Sequence, residues 1–477
     1  MHYTELLDKN KKVQLEIFDF FLYHESAVTF KTLDEHIEVS LPTLKNAVKD
    51  LNDSLHTFQP QAKLIKSKAE TLELILPADF SVADFIYSYL KEAVDYRILL
   101  AVFTEKDISI TKLAFDQHLS EASVFRHLKS LNQALKEFNI QIKKGNLSGN
   151  EWQIRLFYFQ LFNGMIPLEK LTKELRKSPA AYLTDVIEQD FEFALSLKEQ
   201  TKVSLWFAIM QHRLDYRKKP MTDFAANFIR QIKQDAFYQG LKNILGRFLS
   251  RFALSWSEEE TVYFYLFFIA EGLLPKESKY WQQSSFIHYF LKIEQKITQV
   301  ITGDQSGKKR LPFLLAYHVR VTFYPGELLF LAKSQTLLSD FSSSKMAECM
   351  SFVEDHFSRN LSFSQWQVLD RLYGFTYKFY QRQMQTDRFI GVVCQANFQS
   401  EECLNFVSQS LAYDDHITVE KATDKYYDLL VVSHPMQAKN YNYQQMYLLT
   451  GSFSFFEKER LKKVAQKLLA GNKEVGK

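Results

Sequence analysis

Displaced against itself by 80 residues, the chain matches itself, and this self-match restricts the possible folds more than any other feature. Ser40, Thr43, Leu44, Val48, Lys49, Leu51, Asn52, Leu55 and Phe58 fall on Ser120, Ser123, Val124, Leu128, Lys129, Leu131, Asn132, Leu135 and Phe138. In both copies the apolar positions (44, 48, 51, 55 and 124, 128, 131, 135) are spaced 4, 3 and 4, which is one face of a helix. Ser40 and Ser120 stand where N-caps belong, offering a side-chain oxygen to the open amides of the first turn. Ahead of each lies a short amphipathic segment, FKTLDEHIEV or ISITKLAFDQHL, and ahead of that a more apolar one, VQLEIFDFFLYH or VDYRILLAVF. Three helices with a tight junction between the last two describe a helix-turn-helix. The segments that follow, LIKSKAETLELIL and IQIKKGNLSGNEWQI, predict short β-hairpins, so both units are expected to be winged.

The outward positions of such third helices enter the major groove. They are Thr43, Lys45, Asn46 and Lys49 in the first copy, and Ser123, Phe125, Arg126, His127 and Lys129 in the second. Phe125 could equally serve a core. Residues 40–68 carry five basic and two acidic residues, as do residues 120–150, where Lys143 and Lys144 fall on the expected wing. Wings of this kind track the phosphate backbone. Over residues 1–160 the balance is 19 basic against 22 acidic, so any attraction for DNA is local. The competing reading is a pair of plain three-helix bundles with solvated lysine faces, and tandem occurrence favours DNA.

Beyond this point the chain reads as helix. Glycine (14) and proline (10) are scarce among 477 residues while phenylalanine is abundant (42), which argues against large Rossmann or barrel architectures. ALSWSEEETVYFYLFF (253–268) and NLSFSQWQVLDRLYGF (360–375) align at a shift of 107, and His212 falls on His318 at 106. Two helical modules in succession are expected, with the loop TGDQSGKKR interrupting the second. A histidine within an apolar helix is either a core imidazole bonded to a carbonyl or a phosphoacceptor that titrates near neutrality. Arg213 and Arg320 are the neighbours that would receive a phosphate on His212 or His318. His288 and His356 have no partner in the repeat and rank lower.

Near residue 387 the pattern changes. DRFIGVVCQ, HITVEKA, YYDLLVVSHP and MYLLTGSF read as strands, with ECLNFVSQSLAY and FEKERLKKVAQKLLAG as helices, a small α/β domain with a largely parallel sheet. Cys394 lies at the end of the first of these strands, where such sheets bind ligands. Its following loop, QANFQSEEC, is too bulky and acidic to cradle a phosphate, so a packed thiol is the better reading. Three cysteines (Cys349, Cys394, Cys403) make neither a disulfide framework nor a metal site. No acid–base pair, phosphate loop or metal cluster is evident, so neither enzyme nor cofactor is expected. The absence of a signal-peptide core or an apolar run of ~18–20 residues predicts a cytoplasmic chain without membrane association.

The order of parts resembles the Mga/AtxA-type transcriptional regulators of Gram-positive bacteria. The most specific stretch is SEASVFRHLKSLNQALKEFNIQIKKGNLSGNEWQIRLFYFQLF (120–162), which is similar to that family's second helix-turn-helix, its wing and the following helix. The resemblance implies a mainly α, multidomain chain. Its parts would be a winged helix-turn-helix (1–78), a second, Mga-type one (79–166), two all-helical phosphotransferase-system regulation domains, or PRDs (167–280 and 281–385), and a small EIIB-like α/β domain (386–477). It further implies an activator that binds double-stranded DNA as a homodimer or larger oligomer, with a preference for curved or AT-rich sites read through shape. Its regulon would include surface or virulence functions. Arg126 is the leading DNA contact by that resemblance. His212 and His318, with His288 behind them, are candidate acceptors from a phosphotransferase-system donor. The rival readings are a phosphocarrier component using Cys394 or His318, and a helical scaffold that binds protein.

Overall fold

The computed structural model describes residues 1–23, 28–66, 71–214, 223–251, 256–302, 312–329, 343–357, 361–384, 388–393, 398–412, 417–433, 435–449 and 454–470. The chain separates into two compact units, Met1–Thr376 and Tyr377–Lys477. It is mainly helical, with a small parallel sheet near its C-terminus.

In the first copy of the 80-residue repeat the helices are α1 (Lys9–Tyr23), α2 (Phe30–His36) and α3 (Leu41–Phe58). Strands β1 (Val28–Thr29), β2 (Lys63–Lys66) and β3 (Thr71–Ile75) form an antiparallel sheet in the order β1-β3-β2. Helix α4 (Val82–Leu90) leads into the second copy, α5 (Val94–Thr104), α6 (Ile110–Asp116) and α7 (Glu121–Leu135). The hairpin of β4 (Gln141–Lys143) and β5 (Asn146–Ser148) is its wing. Ser40 and Ser120 cap α3 and α7 by accepting from the amides of Thr43 and Ser123. The repeated stripes Leu44, Val48, Leu51, Leu55 and Val124, Leu128, Leu131, Leu135 are all buried. Both windows therefore fold as their shared pattern requires.

The helices that follow are α8 (Glu151–Met165), α9 (Leu168–Leu175), α10 (Pro179–Phe191), α11 (Leu197–His212), α12 (Asp223–Gln234), α13 (Ala236–Arg251) and α14 (Glu258–Ala270). Then come α15 (Lys279–Gln283), α16 (Ser285–Thr302), α17 (Pro312–Phe323), α18 (Ser343–Phe357) and α19 (Phe363–Met384). Helices α10, α11, α13 and α14 recur as α16, α17, α18 and α19 at a shift of about 106, which extends the sequence repeat element by element. Residues 260–270 of α14 are all buried: Val262–Ala270 is an apolar run that is covered all round, and Glu260 at its start is buried against Arg155. The loop TGDQSGKKR lies outside the described residues save its first, Thr302, which ends α16.

In the second unit β6 (Arg388–Val392), α20 (Phe398–Leu411), β7 (Ile417–Lys421), β8 (Tyr426–Val432), β9 (Asn442–Leu448) and α21 (Phe455–Ala470) build a parallel sheet ordered β7-β6-β8-β9. One expectation needs correcting here: the last strand begins at Asn442, not in the apolar run that starts at Met446. Tyr426 pairs with Asn442 and Tyr427 with Tyr443, and the polar residues of this edge strand conceal it from a hydrophobicity reading. Cys394 lies outside the described residues.

Candidate nucleic-acid interface

The N-caps and buried stripes of α3 and α7 fix which side chains face outward. Thr43, Lys45, Asn46 and Lys49 are all exposed on α3. On α7, Arg126 and Lys129 are exposed, Ser123 is half-buried, and Phe125, with 57% of its surface open, belongs to no core. Arg126 Nη2 donates to Ser123 Oγ at 2.8 Å, which holds the guanidinium along the helix surface. His127 is arranged differently. Its Nδ1 lies 2.7 Å from Asp95 Oδ1 on α5, so the ring ties α7 to the first helix of its own unit. Burial pushes the Asp95 carboxyl above the ordinary range, against the hydrogen bond and charge of His127.

The wings are attached by a device that the repeat carries but sequence reasoning did not interpret. Asn52 Oδ1 accepts from Leu64 N of β2 at 2.8 Å, and its counterpart Asn132 Oδ1 accepts from Ile142 N of β4 at 2.6 Å. Asn132 Nδ2 also donates to Ile142 O at 3.0 Å. A side-chain amide offers the donor and acceptor pair that a strand backbone presents, so it can seat a wing on a helix. Their recurrence at the 80-residue shift was the available signal.

Exposed Lys143 and Lys144 stand at the tip of the second wing. Lys144 and Gly145 take φ of 51° and 72° between the paired Lys143 and Asn146, the left-handed pair of a two-residue hairpin turn. A Cβ on Gly145 would fall 1.8 Å from Ile108 O, so the turn is pressed against its own unit. In the first wing Lys63 and Lys66 flank the described strand, and the Nζ atoms of Lys45 and Lys66 approach the Phe30 ring at 5.9 and 5.7 Å.

The candidate phosphoacceptors fall in unlike settings. His212 is exposed at the C-terminal end of α11. Its Nε2 lies 2.7 Å from the carbonyl oxygen of Phe103 on α5, to which it donates, and its ring packs on that of Phe103 at 4.7 Å. His318 is fully buried within α17, with Nε2 2.8 Å from Tyr373 Oη, and burial lowers its pKa to about 3. His288 is exposed, its Nδ1 bonded to Ser284 O one turn back. The arginines expected to receive a phosphate are already engaged. Arg213 is buried and donates from Nε and Nη2 to Glu151 at 2.6 and 2.9 Å. Arg320 pairs with Glu271 and with Glu327, both at 2.9 Å. Each answers a carboxylate that burial would otherwise leave uncompensated. Among the described residues no cluster of His, Cys, Asp and Glu could hold a metal, and no helix is long and apolar enough to cross a membrane.

The arrangement defines a class: two winged helix-turn-helix units in tandem, followed by repeated helical modules and a small parallel α/β unit. Residues 78–162 match the Mga helix-turn-helix domain. A stretch of 215 residues is 23% identical to the capsule synthesis positive regulator AcpB of Bacillus anthracis, and the match covers 43% of each chain, so less than half of that relative is spanned. The domain match and the relative together support a likeness to the Mga/AtxA-type regulators.

Proposed function

We propose that the chain is a transcriptional regulator that binds double-stranded DNA through α3 and α7, with its wings on the flanking phosphates. The observation that carries this reading is a shared construction. In both copies a serine-capped third helix turns Lys or Arg outward beside a basic wing that an equivalent asparagine holds. A positive effect on genes for surface or virulence functions is the direction suggested by the relative named for capsule synthesis. The chain acts as a homodimer or larger oligomer in this reading, with the helical modules serving as PRDs and the last unit as an EIIB-like domain. Their state is set by a phosphotransferase-system donor. His212 is the acceptor the reading favours over His318 and His288, because it is exposed and sits where the first helical module touches α5.

A gel shift on promoter DNA tests the core of this proposal. Arg126→Ala should weaken binding roughly tenfold, about the value of one good side-chain contact. Unchanged affinity in a folded variant would refute it. Incubation with labelled phosphodonor should label the wild type and not His212→Ala. Label retained in that variant would remove His212 from its role.

A further inference from the structure

The outward face of α7 does not end on an open convex surface. Arg126 and Lys129 open onto a groove of about 980 Å³ whose other walls bring Lys9 and Lys12 from α1, and Phe363 and Arg371 from α19. Five cationic side chains from three separate stretches of chain thus line one groove. Two carboxylates share it, and both are already engaged. Glu5 accepts from His2 N at 2.7 Å. Glu137 accepts from Ser362 Oγ at 2.7 Å and from Glu327 N at 3.2 Å, and also pairs with the amino group of Met1. Lys12 has only a loose 3.9 Å approach to exposed Glu16. The surplus of positive charge therefore faces the groove, and Phe363, 74% exposed, lies at its edge.

Resting on the DNA-binding reading of α7, we propose that this groove is a phosphate-binding track: Lys9, Lys12 and Arg371 hold the sugar–phosphate backbone beside the base pairs that α7 reads. A helix of the second helical module then contributes directly to the DNA interface, so that displacing α19 would alter affinity without moving α7. Lysine and arginine suit this task because each neutralised phosphate releases condensed counterions, which makes the contribution readable as a salt slope.

The test compares the full-length wild type with Lys12→Gln, Arg371→Gln, the double variant and Arg371→Lys, by fluorescence anisotropy on duplex DNA from 50 to 300 mM salt. Each single neutralisation should lower the slope of log affinity against log salt by roughly 0.9, and the double variant by about twice that. Arg371→Lys should keep the wild-type slope, which separates lost charge from lost structure. If the slopes are unchanged while Arg126→Ala still weakens binding, the track is overturned and the reading of α7 survives. If Arg126→Ala has no effect either, the DNA reading itself has failed. Titration with pyrophosphate tests the other source of the same chemistry. Saturable binding that Lys12→Gln abolishes, with DNA slopes unmoved, would assign the groove to a free phosphorylated ligand and overturn the track.

Discussion

Replacing Glu151 by Gln perturbs the joint through which the second winged unit continues into the helical modules. Glu151 opens α8 and accepts from Arg155 Nε at 3.1 Å and from Arg213 Nε and Nη2 at 2.6 and 2.9 Å. Arg155 in turn holds Glu260 of α14 through both terminal nitrogens. All four side chains are buried, and their charges sum to zero. The amide keeps the size of the carboxylate but leaves the site with one uncompensated positive charge and turns an NH2 group toward a guanidinium. Removing one partner of a buried ion pair costs about 3–5 kcal/mol. At roughly 2 °C per kcal/mol for a large unit, the midpoint of the helical circular-dichroism melt should fall by about 6–10 °C. The double variant Glu151→Met, Arg213→Met removes both charges and should recover much of that loss, since well-packed apolar pairs often equal buried ion pairs. A fall below about 2 °C for Glu151→Gln, or a double variant as unstable as the two single losses combined, would refute the account of α8 as an electrostatic anchor.

Three further outcomes follow from the geometry. Asn132→Ala removes both hydrogen bonds to Ile142 and should cost about 1–3 kcal/mol in a melt while weakening DNA binding through the displaced wing lysines; a destabilised variant with full affinity would show that the wing plays no part in binding. Gly145→Ala forces a Cβ into Ile108 O at a left-handed φ and should destabilise by more than about 1 kcal/mol, with the loss seen as faster hydrogen exchange in β4 and β5. Burial raises the Asp19 carboxyl from 3.8 to about 7, against the hydrogen bond from Tyr3 Oη. Between about pH 4 and 7 the folded chain keeps a proton that the unfolded chain has released, so this group's contribution to stability declines as pH rises through that window and is level above it. Asp19→Asn should flatten the decline by up to about 1.4 kcal/mol per pH unit, and identical pH profiles for variant and wild type would contradict the assignment.

What could be read in advance was whatever local periodicity and the repeats encode. The caps at Ser40 and Ser120 and the stripes on α3 and α7 depend on neighbours three or four residues away, and they stand as the pattern requires. Partnerships between distant residues were not legible. Nothing around His127 announces Asp95, which lies on another helix 32 residues back. Arg213 and Arg320 look like free cations beside histidines, yet Glu151, Glu271 and Glu327 claim them once the helices pack. The 106-residue alignment set His212 and His318 as equivalents. Packing separates them, because His212 ends its helix at the surface while α17 continues past His318 into the core. The start of β9 was misplaced for a related reason, since Asn442 and Gln445 in its first half are polar and its partner, not its composition, makes that half a strand.

The setting of His212 also decides what a phosphoryl group there could accomplish. Nε2 donates to the Phe103 carbonyl at 2.7 Å, so a phosphoryl group on that nitrogen would have to break the bond and part the two packed rings, loosening the first helical module from α5. On Nδ1 the bond could persist, and the added charge would lie at the C-terminal end of α11, where the helix dipole disfavours anions. Neither Arg213 nor Arg320 is at liberty to compensate, because withdrawing either would strand a buried carboxylate. Modification at Nε2 therefore has a physical route only to weakening the contact with α5. Since His127 and Asp95 fasten α7 to that same helix, the consequence would be felt at the orientation of α7 before it was felt in the fold of either helical module.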